Sequence, residues 1–94
     1  MTTPTRPVFL NIRTKEELDE HKLNSLEEWQ NFVGGHMEVI MLKTSSALVV
    51  NENAKRENLE INHEASEEYG KYCSSPVVIC GNAAVVSGDA LRFL

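Results

Sequence analysis

The sequence predicts a small α+β domain: a mostly antiparallel sheet of four or five strands packed on one main helix. Three observations carry that prediction. Residues 25–33 place Leu26, Trp29 and Val33 at helical spacing, with Phe32 beside them. From Met37 the apolar period falls to two, and a second apolar run at 47–50 returns after a polar turn. Two further apolar runs, 77–80 and 83–86, flank Gly81-Asn82.

Taken in order, residues 1–7 hold two prolines and three threonines and read as a flexible N-terminal arm, leaving 8–94 as a single domain. Residues 8–12 are β-branched and aromatic enough for a strand. Thr14 to Glu17 and Ser25 to Glu28 both match the capping box, a hydroxyl at N-cap and a glutamate three residues on. The first opens only a short turn, because residues 19–22 offer little to bury. The second opens the main helix, and Gly34 closes it in the left-handed conformation that glycine adopts without strain. Trp29 is either core or one wall of a groove between helix and sheet.

Met37, Val39 and Met41 should face one side of the next strand, and Glu38, Ile40 and Leu42 the other. Residues 43–46 make the turn of a hairpin, and 47–50 return antiparallel. Residues 51–58 are polar and turn-like. A second, short helix over 63–72 should turn Ala65 and Tyr69 inward, and Ser74-Ser75-Pro76 stops it. Residues 77–80 and 83–86 form either a tight hairpin over Gly81-Asn82 or one long strand kinked at the glycine.

Composition excludes several functions. Fourteen acids against nine bases give a net charge of −5, and the acids concentrate in 15–28 and 52–72. No clustered basic stripe exists to neutralise a phosphate backbone, so nucleic acid is not an expected partner. No run approaches the roughly 20 apolar residues that span a bilayer, and the first residues lack the order of a signal peptide. A cytoplasmic protein is expected, with Cys73 and Cys80 reduced and serving as small buried apolar groups. Their spacing is not that of a zinc knuckle, and no metal or cofactor is expected. His63-Glu64 with Glu67 lacks the second histidine of a zinc-hydrolase helix. No triad or paired acid and base stands out, so an enzyme is not expected.

The Val33-Gly34-Gly35 helix end, the strand bearing Glu38, Val50-Asn51-Glu52, the later Asn62 and the apolar 77–86 segment around Gly81 form a recognisable order. It resembles the pattern of a small family of domains of unknown function carried by phages, mobile elements and large DNA viruses. The resemblance spans most of the chain. It implies a viral or mobile-element setting, and hence host cytoplasm, but no established activity. Relatives usually carry glycine where Ala54 stands. Alanine resists positive φ, so this turn is where the chain departs from the pattern.

The candidate ligand-binding residues are Glu38, Asn51, Glu52, Lys55, Arg56 and Asn62. Asparagine donates and accepts at once and so reads amide-like or nucleobase edges; it equally well holds a turn by bonding backbone. Gly34-Gly35 is either a plain helix stop or a place where another group comes close. Lys55-Arg56, inside the same loop, offers charge for a phosphate, as do Lys43 and Arg13. The expected function is a non-enzymatic accessory binding protein that sequesters a small host ligand, such as a nucleotide-derived defence signal. A homodimer would concentrate its few bases about a twofold axis. The alternative is a protein-interaction module that binds a host or viral protein through a sheet edge or the acidic helix.

Overall fold

The computed structural model describes residues 6–43, 45–73 and 77–94. The elements run β1 (Phe9–Ile12), α1 (Lys15–Glu20), α2 (Leu26–Val33), β2 (Met37–Lys43), β3 (Ser46–Asn51), α3 (His63–Gly70), β4 (Ala83–Ser87) and a closing 3-10 helix (Gly88–Phe93). Most of the expected arm, the tip of the hairpin turn at Thr44 and the helix stop at 74–76 lie outside the described residues.

Both hydroxyl caps open helices, the first the six-residue α1 and not merely a short turn. Thr14 accepts from the Glu17 N–H at 3.2 Å, and the Glu17 carboxylate accepts from the N–H groups of Arg13 at 2.8 Å and Thr14 at 3.1 Å. Ser25 accepts from the Glu28 N–H at 3.1 Å, while the Glu28 carboxylate reaches one residue further back, to the Asn24 N–H. Gly34 closes α2 at φ 81°, and its N–H donates to the Gln30 carbonyl. Trp29 and Val33 are buried and Trp29 meets Phe32 edge to face, so the tryptophan belongs to the core. Leu26, on the same helical stripe, is 64% exposed. The core ends before the first turn of α2 does.

The four strands lie in the order β1-β4-β3-β2. The hairpin is as expected, with β2 antiparallel to β3 and Val39 opposite Val49. β4 is antiparallel to β3, but β1 runs parallel to β4, with Phe9 opposite Ala83. The sheet is therefore mixed, not mostly antiparallel. Side-chain chemistry sets that pairing. Asn82 accepts from the Val8 N–H at 2.8 Å, and the Ala83 N–H donates to the Val8 carbonyl at 2.9 Å. At the other end of β1 the Ala90 N–H donates to the Arg13 carbonyl.

The expectation of one covering helix is also corrected. Ile12, Val49, Ala84 and Val86 pack with Leu18, Trp29, Val33 and Ala90 on one face of the sheet. Leu48, Val50, Ala83 and Val85 pack with Ala65, Tyr69 and Ile79 on the other. Central strands covered on both sides read as continuous apolar runs, as 47–50 and 83–86 do. The alternation in β2 holds, with Met37 on the first core and Ile40 and Leu42 on the second.

Residues 77–80 pair with neither side of β4 and are not a strand. Their polar groups are taken by another partner: the Ile79 N–H donates to Ser66 Oγ at 2.8 Å, and the Asn62 N–H donates to the Ile79 carbonyl at 2.8 Å. The contact with the 61 region is a single bridge, Ile61 to Cys80. Gly81, at φ 80°, then turns the chain into β4. Among the described residues no helix is long and apolar enough to cross a membrane.

Candidate functional site

The polar pattern of 51–62 is held by two asparagines that the fold buries. Asn51 is 4% exposed. Its amide donates to the Val33 carbonyl at 3.0 Å and to the Glu57 carboxylate at 3.1 Å, and its oxygen accepts from the Asn53 N–H at 2.7 Å. One side chain thus ties the end of α2 to the end of β3 and starts the following turn. Gly35 permits this: a Cβ there would stand 3.2 Å from the Asn51 amide nitrogen. The close approach suggested by the glycine pair is made by Asn51.

Asn62, 3% exposed, does the same work elsewhere. Its amide donates to the carbonyls of Val8 at 3.1 Å and Gly81 at 2.9 Å, and its oxygen caps α3 by accepting from the Ala65 N–H at 3.1 Å. Three segments far apart in sequence meet on it. With both amide hydrogens engaged in each case, neither asparagine has a donor left for a ligand.

Between these two anchors the chain makes a run of turns. The Ala54 N–H donates to the Asn51 carbonyl, the Glu57 N–H to Asn53 and the Leu59 N–H to Ala54. The left-handed conformation in this turn falls on Asn58, at φ 55°, where asparagine tolerates it. Ala54 itself is buried, so its methyl group is part of the wall and the turn is tight without glycine.

These turns, with β2, β3, α3 and the 77–80 segment, enclose a cleft of about 430 Å³. Five of the six candidate residues line it: Glu38, Asn51, Glu52, Lys55 and Arg56. Asn62 does not; it borders a separate hollow of about 710 Å³ beside Arg6, Pro7 and residues 59–64. The larger hollow draws its walls from two stretches of chain, whereas the cleft draws on four, from widely separated positions. That convergence makes the cleft the candidate site.

Its floor is apolar, formed by Ile40, Val50, Ile79 and the half-buried Tyr69. Its rim is charged. Glu38, Glu52, Lys55 and Arg56 are all exposed, and among the described residues none of the four is in an ion pair. Nor do the backbone N–H groups of Lys55 and Arg56 donate to any acceptor among the described residues. The rim therefore offers two cations and two carboxylate acceptors over an apolar base. Among the described residues no group of three or more His, Cys, Asp or Glu is placed to hold a metal ion.

Sequence reasoning missed the far wall. Tyr69 is recognisable as inward-facing because it lies one turn beyond Ala65, but nothing local places it opposite β2. Residues 77–80 read as a strand, and Cys80 is buried in the cleft wall while Cys73 is only half-buried. Of the other cations considered for a phosphate, Arg13 lies at the end of β1 and does not line the cleft.

A family model described as a domain of unknown function, DUF3846, matches residues 6–92. No curated protein and no solved structure matches the chain.

Proposed function

The chain belongs to the DUF3846 family, whose description assigns no activity, and we propose on the chemistry of the cleft that it is a non-enzymatic module binding a small nucleotide-like ligand. The carrying observation is the cleft itself: an apolar floor under four exposed charges that make no ion pair among the described residues. Lys55 and Arg56 supply charge-assisted donors to a phosphate. Glu38 and Glu52 accept from hydroxyl or amino groups. Tyr69 and Ile79 offer apolar surface to a base. A bare phosphate would leave both carboxylates repelling it, and a neutral aromatic would leave both cations unused. A nucleotide uses all four.

The resemblance to domains of phages and mobile elements supplies a setting for this reading. There the protein is an accessory factor of the host cytoplasm that sequesters a nucleotide-derived signal and needs no cofactor. Sequestration asks only for binding, which the charged rim and apolar floor of the cleft supply.

Isothermal titration calorimetry with AMP, adenosine and inorganic phosphate tests the proposal. AMP should bind more tightly than either fragment, and Lys55→Ala/Arg56→Ala should weaken AMP by at least about tenfold, the loss of one or two charge-assisted hydrogen bonds. The same variant should unfold within about 0.5 kcal/mol of the parent, since both residues are exposed. No heat with AMP or with a panel of cyclic and linear nucleotides, or equal binding by the folded double variant, overturns it.

A further inference from the structure

We infer that the outer edge of β2 is the interface of a twofold dimer of this chain, and that the dimer sets two clefts side by side. β2 is the last strand of the sheet, so among the described residues no strand lies beside the outer side of Met37–Lys43. An unpaired edge of that length is a ready template for another strand. The opposite edge, β1, has four residues to offer, and its apolar side chains are at least half-buried. β2 carries the large exposed apolar groups: Val39 is 43% exposed and Met41 is 58% exposed.

Three features point to a second copy as the occupant. In a twofold antiparallel pair, opposed residues share a face, so their numbers differ by an even count. Centring the axis on Ile40 obeys this and puts Val39 opposite Met41 of the second copy, twice over. The two exposed apolar side chains of each copy then cover those of the other. Charge agrees. The strand bears one acid, Glu38, towards its start. Centring on Glu38 instead would oppose two carboxylates.

The third feature is the cleft. Glu38 and Ile40 line it and stand on the outermost strand. On that side its wall ends where β2 ends. Pairing two β2 strands about Ile40 joins the floors of both clefts across the axis, with Glu38 of each copy on either side. The second copy thereby completes the open wall. That consequence rests on the cleft reading above; the pairing does not.

Sedimentation velocity over a concentration series, with no nucleotide present, reads the pairing. The chain should dimerise reversibly. Val39→Lys/Met41→Lys should raise the dissociation constant by at least about 100-fold, because lysines then oppose lysines. Mixing it with Val39→Glu/Met41→Glu should restore a one-to-one dimer. A second measurement survives poor folding of those variants. In a Cys73→Ser/Cys80→Ala background, Ile40→Cys should form an intermolecular disulfide on mild oxidation, since self-opposed positions lie within its reach of about 7 Å. Glu38→Cys should not, since the two copies of that position stand four strand residues, roughly 13 Å, apart. A monomer up to about 1 mM, a dimer indifferent to the charged pairs, or faster crosslinking at position 38 overturns the inference. So does an edge that pairs only with a different protein. Because no nucleotide enters these experiments, their failure leaves the binding proposal standing, and failure of the calorimetry leaves the dimer standing.

Discussion

Asn51 and Asn62 bound the same loop, are equally buried, and each make three hydrogen bonds, yet only one of them touches the cleft. Asn51 joins neighbours: the end of α2, the end of β3 and the turn that leaves it. Asn62 joins strangers: the start of β1, the Gly81 turn and the first turn of α3. A spaced pair of asparagines therefore marks where the chain is anchored. On the proposed reading the residues free to meet a ligand are the exposed Glu52, Lys55 and Arg56 strung between the anchors, with Glu38 facing them from β2. The proposed binding chemistry and the order that would support it thus fall on different side chains.

The largest effect expected from breaking this comparison is at Asn62. Asn62→Ala strips a donor from two carbonyls and removes the cap of α3, and should cost about 2–4 kcal/mol. Asn51→Ala loses one contact to an exposed carboxylate and two to backbone, and should cost about 1–3 kcal/mol. Urea unfolding of the two variants checks the order. Nucleotide affinity, measured where both remain folded, should separate them the other way: Asn51→Ala loosens the turn that carries Lys55 and Arg56, whereas Asn62→Ala leaves it in place. Equal losses of affinity would mean that the loop is a single unit and the division of labour is false.

Sequence made the first anchor easier to read than the second. The helix at 25–33 and the hairpin that follows it are specified by local signals: a hydroxyl cap, a left-handed glycine, a change of period. Asn51 sits inside that local frame, two residues before the Asn53 N–H it accepts from. Asn62 bonds Val8, fifty-four positions away, and the Asn82 side chain reaches the Val8 N–H across seventy-four. No window of sequence contains such a pairing. The parallel β1–β4 ladder was illegible for that reason, and so was the fate of 77–80. That segment has the composition of a strand but spends its hydrogen bonds on Ser66 and Asn62. The near side of the cleft, in β2 and in the loop after β3, was legible; the far side, Tyr69 with 77–80, depended on these distant pairings.

Each anchor also leans on a glycine, and substituting them sharpens the contrast at smaller cost. Gly81 lies at φ 80° and a Cβ there would stand 2.8 Å from the end of the Leu59 side chain. Gly81→Ala should destabilise by about 1–3 kcal/mol, from backbone strain together with the displaced leucine. At Gly35 the obstacle is the Asn51 amide at 3.2 Å, and no unusual φ is required. Gly35→Ala should cost about 1 kcal/mol or less. It should nonetheless weaken nucleotide binding more than Gly81→Ala does, because what it displaces is the anchor of the binding turn. Thermal unfolding and calorimetry on the same two samples decide it.

The smallest effect separates anchors from ionic contacts. The Arg13 N–H, donating to Glu17, holds that carboxylate below its ordinary value near 4.5, and Thr14 adds to it; the Lys15 ammonium, then Asn24, hold Asp19 below its ordinary 3.8. A carboxylate whose folded pKa is depressed contributes stability above its unfolded pKa and loses it as pH falls through the folded one. Glu68 raises Lys71 above its ordinary 10.5, so that contact contributes below this value and fades as pH rises through the folded one. Asp19 and Lys71 are exposed and Glu17 is half-buried at the surface, so the acid and alkaline limbs should be shallow. Urea midpoints at about pH 6 and about pH 2.5 should show the deficit of Glu17→Gln shrinking in acid. The deficit of Asn62→Ala should stay constant, because its three partners are backbone groups that do not titrate in this range. An Asn62→Ala deficit that fell away in acid together with that of Glu17→Gln would place the anchor's strength in nearby charges instead of in its amide.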